Sequence, residues 1–435
     1  MKGVVKNILP HFICIICLIA VSVIYFYPIL LDKEIEQSDI SQFKGMSKQI
    51  VDHRDKFNEE PYWLDNAFLG MPSFQVSARY PYDILRVIDL SIRFLPRPAD
   101  YLFLYLLSFY LLIISLKINY RFALLGALAF GFSTYLIIIL GVGHNTKALA
   151  IGYLPLVIMG VIMLLNKHFL KGFLITSLAL GLQIHSNHYQ MTYYTLIMIM
   201  VIFLFYFFHF LKKKNLKIFF KIILIFISSS IIALMLNASA LLATKEYSKF
   251  STRSKSEITI NSDGSVKESS SGLSKDYITE YSYGILESFN LFIPRFMGGG
   301  SSEPISQDSK LMDFIKSLDP NQGQQVYQYS RTYWGNQPIV AAPAYVGASI
   351  LFLFFLGLLT LKNINMRWLT TLVIISLILS WGKNFNFLTN LMIDFFPLYD
   401  KFRAVSSIQV ILEFCVPLLA VIGLNSFLSK KISEK

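Results

Sequence analysis

Four short polar segments, each next to a long apolar run, contain residue types that bind phosphate or transfer protons. Histidine can exchange a proton near neutral pH, whereas lysine and arginine offer positive charge and hydrogen-bond donors to an anion. If the four segments lie on one side of the molecule, they predict a basic pocket for a phosphorylated ligand. The candidate binding residues are His144, Lys147, His185, His188, Gln190, Lys383, Lys401 and Arg403.

Carboxylates are scarce near these segments, and Asp39 is the most prominent of them. It follows the first apolar run directly, where its carboxylate could accept a proton from an attacking hydroxyl group. An aspartate at such a place is equally often an ordinary solvated residue, and the local pattern does not separate the two interpretations. Glu287 and Arg295, in a later polar stretch, are further candidate binding residues.

The spacing of His185 and His188 also raises the question of a metal site. Residues three apart share a helix face, which is a spacing that zinc ligands use. No third Cys or His lies nearby in the sequence, and His144 could complete a set only if its segment came close in space. We therefore expect no metal and no other cofactor, and favour hydrogen bonds to phosphate or sugar hydroxyls, or helix capping, as the role of these histidines.

The elements that must position these residues are predicted to be membrane-spanning helices. The chain has 435 residues, of which 54% are hydrophobic and 15% charged, and this composition excludes a soluble globular enzyme. A span needs roughly 20 apolar residues. The sequence therefore predicts an all-α polytopic membrane protein with about ten transmembrane helices in one domain, 1–435. The apolar runs are 8–31, 101–116, 122–140, 148–165, 169–185, 191–211, 218–242, 340–361, 368–382 and 404–428.

The orientation follows from the basic residues of the short connections on one side of these runs. Lys and Arg are retained on the cytoplasmic side, which predicts cytoplasmic termini and two extracytoplasmic segments, 32–100 and 243–339. The net charge of +12 is then a consequence of topology, and no nucleic-acid partner is expected. The basic residues of these connections are Lys117, Arg121, Lys167, Lys171, Lys212, Lys213, Lys214, Lys217, Lys221, Lys362 and Arg367.

Two stretches outside the predicted spans have the pattern of an amphipathic helix. Residues 82–95 place Asp83, Arg86, Asp89 and Arg93 along one side and aliphatic residues along the other. Such a helix lies flat in the membrane interface or packs on the outer surface of the protein, and the pattern fits both. Residues 387–397 form a similar stretch.

One acidic residue, Glu413, lies within the last predicted span. A carboxylate is costly to bury in a membrane as an anion, so Glu413 is a functional candidate by default. The alternatives are that it is protonated or that it pairs with a neighbouring helix.

Taken in order along the chain, ten motifs resemble those of the bacterial YfhO-type membrane protein family in its Bacteroidetes-like form. Each motif is short, but their order is specific. The matching segments are 39–46 (DISQFKGM), 63–75 (WLDNAFLGMPSFQ), 143–147 (GHNTK) with Pro155, 187–194 (NHYQMTYY), 246–253 (EYSKFSTR), 281–287 (YSYGILE), 293–300 with its triple glycine, 333–335 (YWG), 381–384 (WGKN) and 397–403 (PLYDKFR).

This family in turn resembles GT-C glycosyltransferases, which take a sugar from a polyprenyl-phosphate carrier. The resemblance implies transfer to a cell-envelope acceptor on the extracytoplasmic side of the bacterial cytoplasmic (inner) membrane. By the same resemblance Asp39 is the expected base, and Lys147, Arg295 and Arg403 would stabilise the departing phosphate. The partners implied are membrane lipid, the lipid-linked sugar and the envelope acceptor. Because family members usually extend beyond position 435, the chain is expected to be a short or truncated member.

Two other functions remain open from the sequence. A transporter or flippase of lipid-linked precursors would use the same pocket as a release site, and Glu413 favours that function. Transporters commonly contain inverted repeats and polar groups at mid-membrane, whereas the polar groups here gather at one side and no repeat is evident. An inactive scaffold descended from the enzyme family is the third interpretation.

Overall fold

The fold of the chain is almost entirely helical in the computed structural model, which describes residues 2–254, 260, 263–266 and 272–433. The first half contains α1 (Lys2–Tyr25), α2 (Ser38–Phe57), a hairpin of β1 (Trp63–Leu64) and β2 (Met71–Pro72), α3 (Ile84–Ile92), α4 (Ala99–Ser115), α5 (Tyr120–Gly131), α6 (Thr134–Val142), α7 (Asn145–Leu165), α8 (Phe169–His185), α9 (Tyr189–Lys212) and α10 (Leu216–Leu236). The second half contains α11 (Ala238–Ser248), α12 (Lys275–Thr279), α13 (Lys310–Ser317), α14 (Pro320–Tyr329), α15 (Ala348–Thr360), α16 (Ile364–Ser380), α17 (Asn386–Phe395) and α18 (Gln409–Ser433). In the hairpin, Trp63 pairs antiparallel with Pro72.

All ten apolar runs fold as helices, which confirms the predicted all-α polytopic membrane fold. Within the described part of the chain, five helical segments are long and apolar enough to cross a membrane, or seven if each of two bent pairs is one span. The bent pairs are α5 with α6, at 52°, and α16 with the segment Gly382–Phe395, at 107°. The remaining three runs are the shorter apolar helices α4, α8 and α15. The five long segments are Ile8–Tyr25, Asn145–Leu165, Tyr189–Lys212, Leu216–Leu236 and Val405–Ser429.

The core of the bundle is built around α7 and α18, whose apolar windows are 83% buried inside the protein. Close helix approach at this core depends on glycine. A Cβ atom on Gly160 of α7 would overlap Thr176 of α8, and one on Gly423 of α18 would overlap Gly357 of α15. Small residues permit such backbone approach between membrane helices, where van der Waals packing drives association.

The helix ends define two faces of the bundle. α8 begins next to the turn at 166–168 and ends next to the turn at 186–188, so about 25 Å of helix separates those turns. We call the face with the 186–188 turn the site face, and the face with the 166–168 turn the opposite face. Since consecutive helices run antiparallel, the α6–α7 turn at 143–144 falls on the site face, and the turns at 116–119, 213–215 and 361–363 fall on the opposite face. The predicted orientation places the opposite face in the cytoplasm.

The amphipathic stretch 82–95 contains α3, and its polar stripe faces the protein. Asp89 and Arg93 are buried, whereas Ile84, Val87 and Phe94 are exposed. Helix α17 likewise exposes Phe387 and Phe395 and buries Thr389. An apolar outer surface on such helices is the arrangement of a helix that contacts the membrane interface, which favours that interpretation of the two left open by the sequence.

Candidate functional site

A cavity of about 710 Å³ opens on the site face. Three stretches that are distant in sequence form it: the start of α9, the region from the end of α11 to Ser254, and residues 398–403. Its lining contains cationic, hydroxyl, amide and aromatic side chains, and within the described part of the chain no Asp or Glu is among the lining residues. Of the predicted binding residues, His188, Gln190, Lys401 and Arg403 line this cavity.

His188 lies just before α9 and is largely buried, with no hydrogen-bond partner for its Nδ1 atom. Burial lowers the pKa of His188 to about 3, and the positive charges of Lys147, His144 and Arg253 act in the same direction. The imidazole is therefore neutral at pH 7. A neutral imidazole with a free ring nitrogen can donate or accept one hydrogen bond to a ligand in the cavity.

Two arginines and a lysine supply the positive charge of the cavity. The Nη1 atom of Arg253 donates to the backbone oxygen of Lys401. The Nη1 atom of Arg403 donates to the hydroxyl of Tyr277 at 2.6 Å, and its guanidinium lies 5.0 Å from the centre of that ring. Lys401 pairs with Asp400 at 2.8 Å. Arg253 was absent from the predicted binding residues, although the motif 246–253 ends on it; only the fold brings it to Lys401.

Gln190 fixes the position of the segment that carries Arg403. Its Nε2 atom donates to the backbone oxygen of Arg403 at 2.7 Å and to the hydroxyl of Tyr194 at 2.8 Å. The NH₂ group of its amide thus holds the main chain of the cavity wall in place. Gln190 also lines the cavity beside His188, so its amide carbonyl oxygen can accept a hydrogen bond from a ligand.

Asp39 and His144 form a pair beside the cavity. The Oδ2 atom of Asp39 lies 2.5 Å from Nδ1 of His144, so the imidazole donates from Nδ1 and the second carboxylate oxygen is left for another partner. The start of α2 is set on the α6–α7 turn by Gln37, whose Nε2 donates to the backbone oxygen of Leu140 at 2.5 Å. Both side chains of the pair are about half exposed.

Lys147, in the first turn of α7, lies on the same face as this pair. Its Nζ atom donates to the hydroxyl of Ser407 at 3.0 Å and lies 5.2 Å from the centre of the Tyr135 ring. Asp39 and Lys147 are therefore on one side of the bundle, as the proposed chemistry requires. The bond to Ser407 also links α7 to the segment that follows Arg403.

The expectation that His185 and His188 share a helix face is wrong. α8 ends at His185, and α9 begins at Tyr189, because the chain turns between them with a left-handed backbone at Asn187 (φ 60°). His185 faces α3, and its Nε2 lies 2.9 Å from Oδ2 of Asp83. Within the part of the chain that the structure describes, no three His, Cys, Asp or Glu side chains are grouped to hold a metal ion.

Besides His144, Lys147 and His185, three more predicted binding residues lie outside the cavity lining. Glu287 is buried in the second polar segment, where it accepts hydrogen bonds from the hydroxyl of Tyr333 at 2.6 Å and from Nε2 of Gln337 at 3.0 Å. Arg295 pairs with Glu303 at 2.8 Å on the glycine turn. Lys383 is exposed, and its backbone nitrogen bonds to Ser282 at 2.9 Å. The sequence could not separate these from the lining residues because their partners are remote in sequence.

Glu413 is fully buried in α18 and accepts a hydrogen bond from Ser133 at 2.5 Å, while its Oε1 atom has no partner. Ser133 lies at the bend between α5 and α6. The bond from Ser133 agrees with the alternative in which Glu413 pairs with a neighbouring helix, and among the described residues no cation pairs with it.

The fold and the cavity define a polytopic membrane protein with a basic pocket on one face, and no carboxylate lines that pocket among the residues that the structure describes. Residues 101–298 match the model of a family described as bacterial membrane protein YfhO, the family that the motifs resemble. The matched segment covers α4 to Gly298 and includes His188 and Arg253. No curated protein and no solved structure matches the chain.

Proposed function

We propose that the protein is a membrane glycosyltransferase that moves a sugar from a polyprenyl-phosphate carrier to a cell-envelope acceptor at the site face. The observation that supports this function best is the Asp39–His144 pair, at 2.5 Å, near a cavity whose lining, among the described residues, has three cations and no carboxylate. A base and a phosphate-binding surface are the two parts that such a transfer needs.

In the proposed reaction, the acceptor hydroxyl oxygen attacks the anomeric carbon of the sugar, with inversion. The bond from that carbon to the phosphate oxygen breaks, and its electron pair remains on the phosphate of the carrier. The proton of the hydroxyl passes to the carboxylate of Asp39. His144 donates to the other carboxylate oxygen and so orients Asp39 toward the acceptor.

Negative charge grows on the departing phosphate, and fixed cations next to it lower the barrier. Arg253, Lys401 and Arg403 line the cavity and suit this role, because guanidinium groups and ammonium groups donate to phosphate oxygens. Lys147 is close enough to the lining residue His188 for its charge to lower the pKa of that imidazole, so it adds to the positive charge near the cavity. Arg295, which the family resemblance implies for the same role, pairs with Glu303 outside the cavity lining.

The apolar part of the carrier requires a path to lipid. Leu398, Phe402 and Tyr247 line the cavity, and Leu242 on the neighbouring helix α11 is exposed. A hydrocarbon chain leaving the cavity past these residues would contact their apolar side chains.

The decisive experiment replaces the proposed base. Purified Asp39→Asn protein is assayed in detergent with a panel of polyprenyl-phosphate-linked sugars, and release of the polyprenyl phosphate is measured. We expect a decrease of about 10²- to 10⁴-fold relative to the unchanged protein. Asp52→Asn is the matched control, since Asp52 is exposed on the same helix and pairs only with Lys48. Equal activity in the Asp39 and Asp52 variants would contradict the assignment of the base.

A transporter of lipid-linked precursors is the second candidate, because two spans are bent and Glu413 has an unpartnered buried oxygen. Interrupted helices and membrane-embedded carboxylates are common in transporters. Sugar release by the purified protein without any gradient supports the enzyme. Movement of the carrier across the membrane of vesicles, without sugar release, supports the transporter. The absence of both activities supports the inactive scaffold.

A further inference from the structure

A second cavity, of about 920 Å³, lies on the opposite face of the bundle. The ends of α4, α7 and α18 meet the starts of α8 and α16 around it. Its lining includes Lys117, His168 and Lys171, together with Asn166, Asn363, Asn365 and Asn425. Among the residues that the structure describes, no Asp or Glu lines it.

The two lysines of this cavity are unpaired. Within the described ranges, neither Lys117 nor Lys171 forms an ion pair with a carboxylate. On a surface open to water, two ammonium groups of one cavity repel each other unless an anion lies between them. The charge of the cavity therefore favours an anionic ligand.

Two asparagines of the cavity have their hydrogen-bond donors available for such a ligand. The Oδ1 atom of Asn363 accepts from the backbone nitrogen of Met366 at 3.0 Å as the cap of α16. The Oδ1 atom of Asn365 accepts from Nε1 of Trp368 at 3.2 Å. A backbone N–H and an indole N–H can only donate, so these bonds fix the amide oxygens and leave both NH₂ groups as donors.

The start of α8 adds further donors. Its first backbone N–H groups have no intrahelical partner, and the preceding residue His168 provides no side-chain cap. The positive end of this 17-residue helix therefore lies at the cavity, which Lys171 of the same helix also lines. Lysine, amide and helix donors without a single carboxylate are the chemistry of a phosphate site.

We propose that this cavity binds the phosphate group of a phosphate ester, supplied by a membrane lipid. Lipid is the source favoured by the walls, since Leu116, Met163 and Ile422 line the cavity at the ends of apolar helices, where lipid headgroups would lie. The proposal is independent of the glycosyltransferase function, because it concerns the other face of the bundle.

The test measures binding to the purified full chain in detergent by calorimetry, with three probes: dihexanoyl phosphatidic acid, dihexanoyl phosphatidylcholine and inorganic phosphate. We expect phosphatidic acid to bind at least tenfold more tightly than the zwitterionic lipid. Lys117→Gln with Lys171→Gln should weaken phosphatidic acid binding about tenfold or more, since charge-assisted bonds are lost. If phosphatidic acid binds and inorganic phosphate does not, the ligand is a lipid. If inorganic phosphate binds equally tightly, the cavity recognises the phosphate group without the lipid, and the lipid source is wrong.

Two further variants make the result specific. Lys213→Gln with Lys217→Gln removes the same charge from exposed positions on the same face outside the cavity, and binding should not change. Asn363→Asp keeps a helix-capping side chain but places a carboxylate in the cavity, and binding should be lost. Equal weakening by the Lys213/Lys217 variant, or equal affinity for both lipids, would overturn the proposal.

Discussion

The two faces of the bundle differ in whether their cationic side chains have carboxylate partners. On the site face several of them pair with carboxylates, as in Arg54–Glu60, Arg93–Asp89 and Arg295–Glu303. On the opposite face, the described segments 116–121, 165–171, 211–221 and 361–367 contain many lysines and no acidic residue to pair with them. Pairing fixes the geometry of the site face, whereas topology alone accounts for the charge of the opposite face.

Both cavities contain cationic side chains that have no carboxylate partner among the described residues and can therefore bind an anionic ligand. On the site face, Arg253 and Arg403 bond to a backbone oxygen and a tyrosine hydroxyl, respectively, and so retain their full charge next to the cavity. On the opposite face, Lys117 and Lys171 are without carboxylate partners among the described residues. Both cavities therefore attract anions, one through hydrogen-bonded guanidinium groups and the other through exposed ammonium groups.

The largest expected effect is on stability, at the buried ion network of α3. Arg93 donates to Asp89 at 2.9 Å and to Asp100, and Tyr153 donates to Asp89 at 2.6 Å. Arg93→Met would leave two buried carboxylates without their cation and should lower the free energy of unfolding by about 3–5 kcal/mol. Thermal unfolding in detergent measures this. Lys48→Met, at an exposed pair, is the control and should cost no more than about 1 kcal/mol; similar losses in both would remove the contrast between buried and exposed pairs.

The next effect is on activity at the site-face cavity. Arg253→Gln and Arg403→Gln should each reduce sugar release about 10²-fold, because each removes a fixed cation from the proposed phosphate position. Arg295→Gln is the matched control, since Arg295 pairs with Glu303 outside the cavity lining. If Arg295→Gln reduces activity as much as the other two, the cavity is not the phosphate site.

A smaller effect concerns the pH dependence of stability. His188 has a lowered pKa in the folded state, about 3, so the unfolded chain binds more protons below about pH 6.5. Stability should therefore fall as the pH falls from 6.5 towards 3. His188→Asn should reduce the loss between pH 7 and pH 5 by at most about 2 kcal/mol, measured by unfolding at both values. An identical pH dependence in the variant would show that the imidazole is readily protonated in the fold.

The smallest effect is expected on the opposite face. Lys117→Gln with Lys171→Gln removes two cations that have no carboxylate partner in the described part of the chain, so the free energy of unfolding should change by less than about 0.5 kcal/mol in lipid-free detergent. Arg54→Gln provides the comparison, because Arg54 pairs with Glu60 at 2.5 Å and is largely buried. A larger loss for the lysine variant than for Arg54→Gln would reverse the contrast between the faces.

The sequence predicts the helices well because the bilayer imposes a length and an apolar composition on each of them. Alternation of antiparallel spans then assigns the segments around His144, His188 and Arg403 to one face without any contact being known. The break between the runs 169–185 and 191–211 is predicted, but the left-handed turn at Asn187 that separates His185 from His188 is not, because the residue types of this segment do not specify that backbone conformation. Nor does the sequence predict that Arg253 reaches Lys401, which lies 148 positions away, or that Glu287 is enclosed by Tyr333 and Gln337.

The loop at 398–403 is held in place through its main chain. Arg253 bonds to the backbone oxygen of Lys401, Gln190 to that of Arg403, and the backbone nitrogen of Leu273 to that of Asp400 at 3.2 Å. None of these bonds depends on which side chains the loop carries. Positions 401 and 403 can thus be exchanged for other residues while the loop keeps its path, so that preference for one ligand over another can be altered independently of the scaffold.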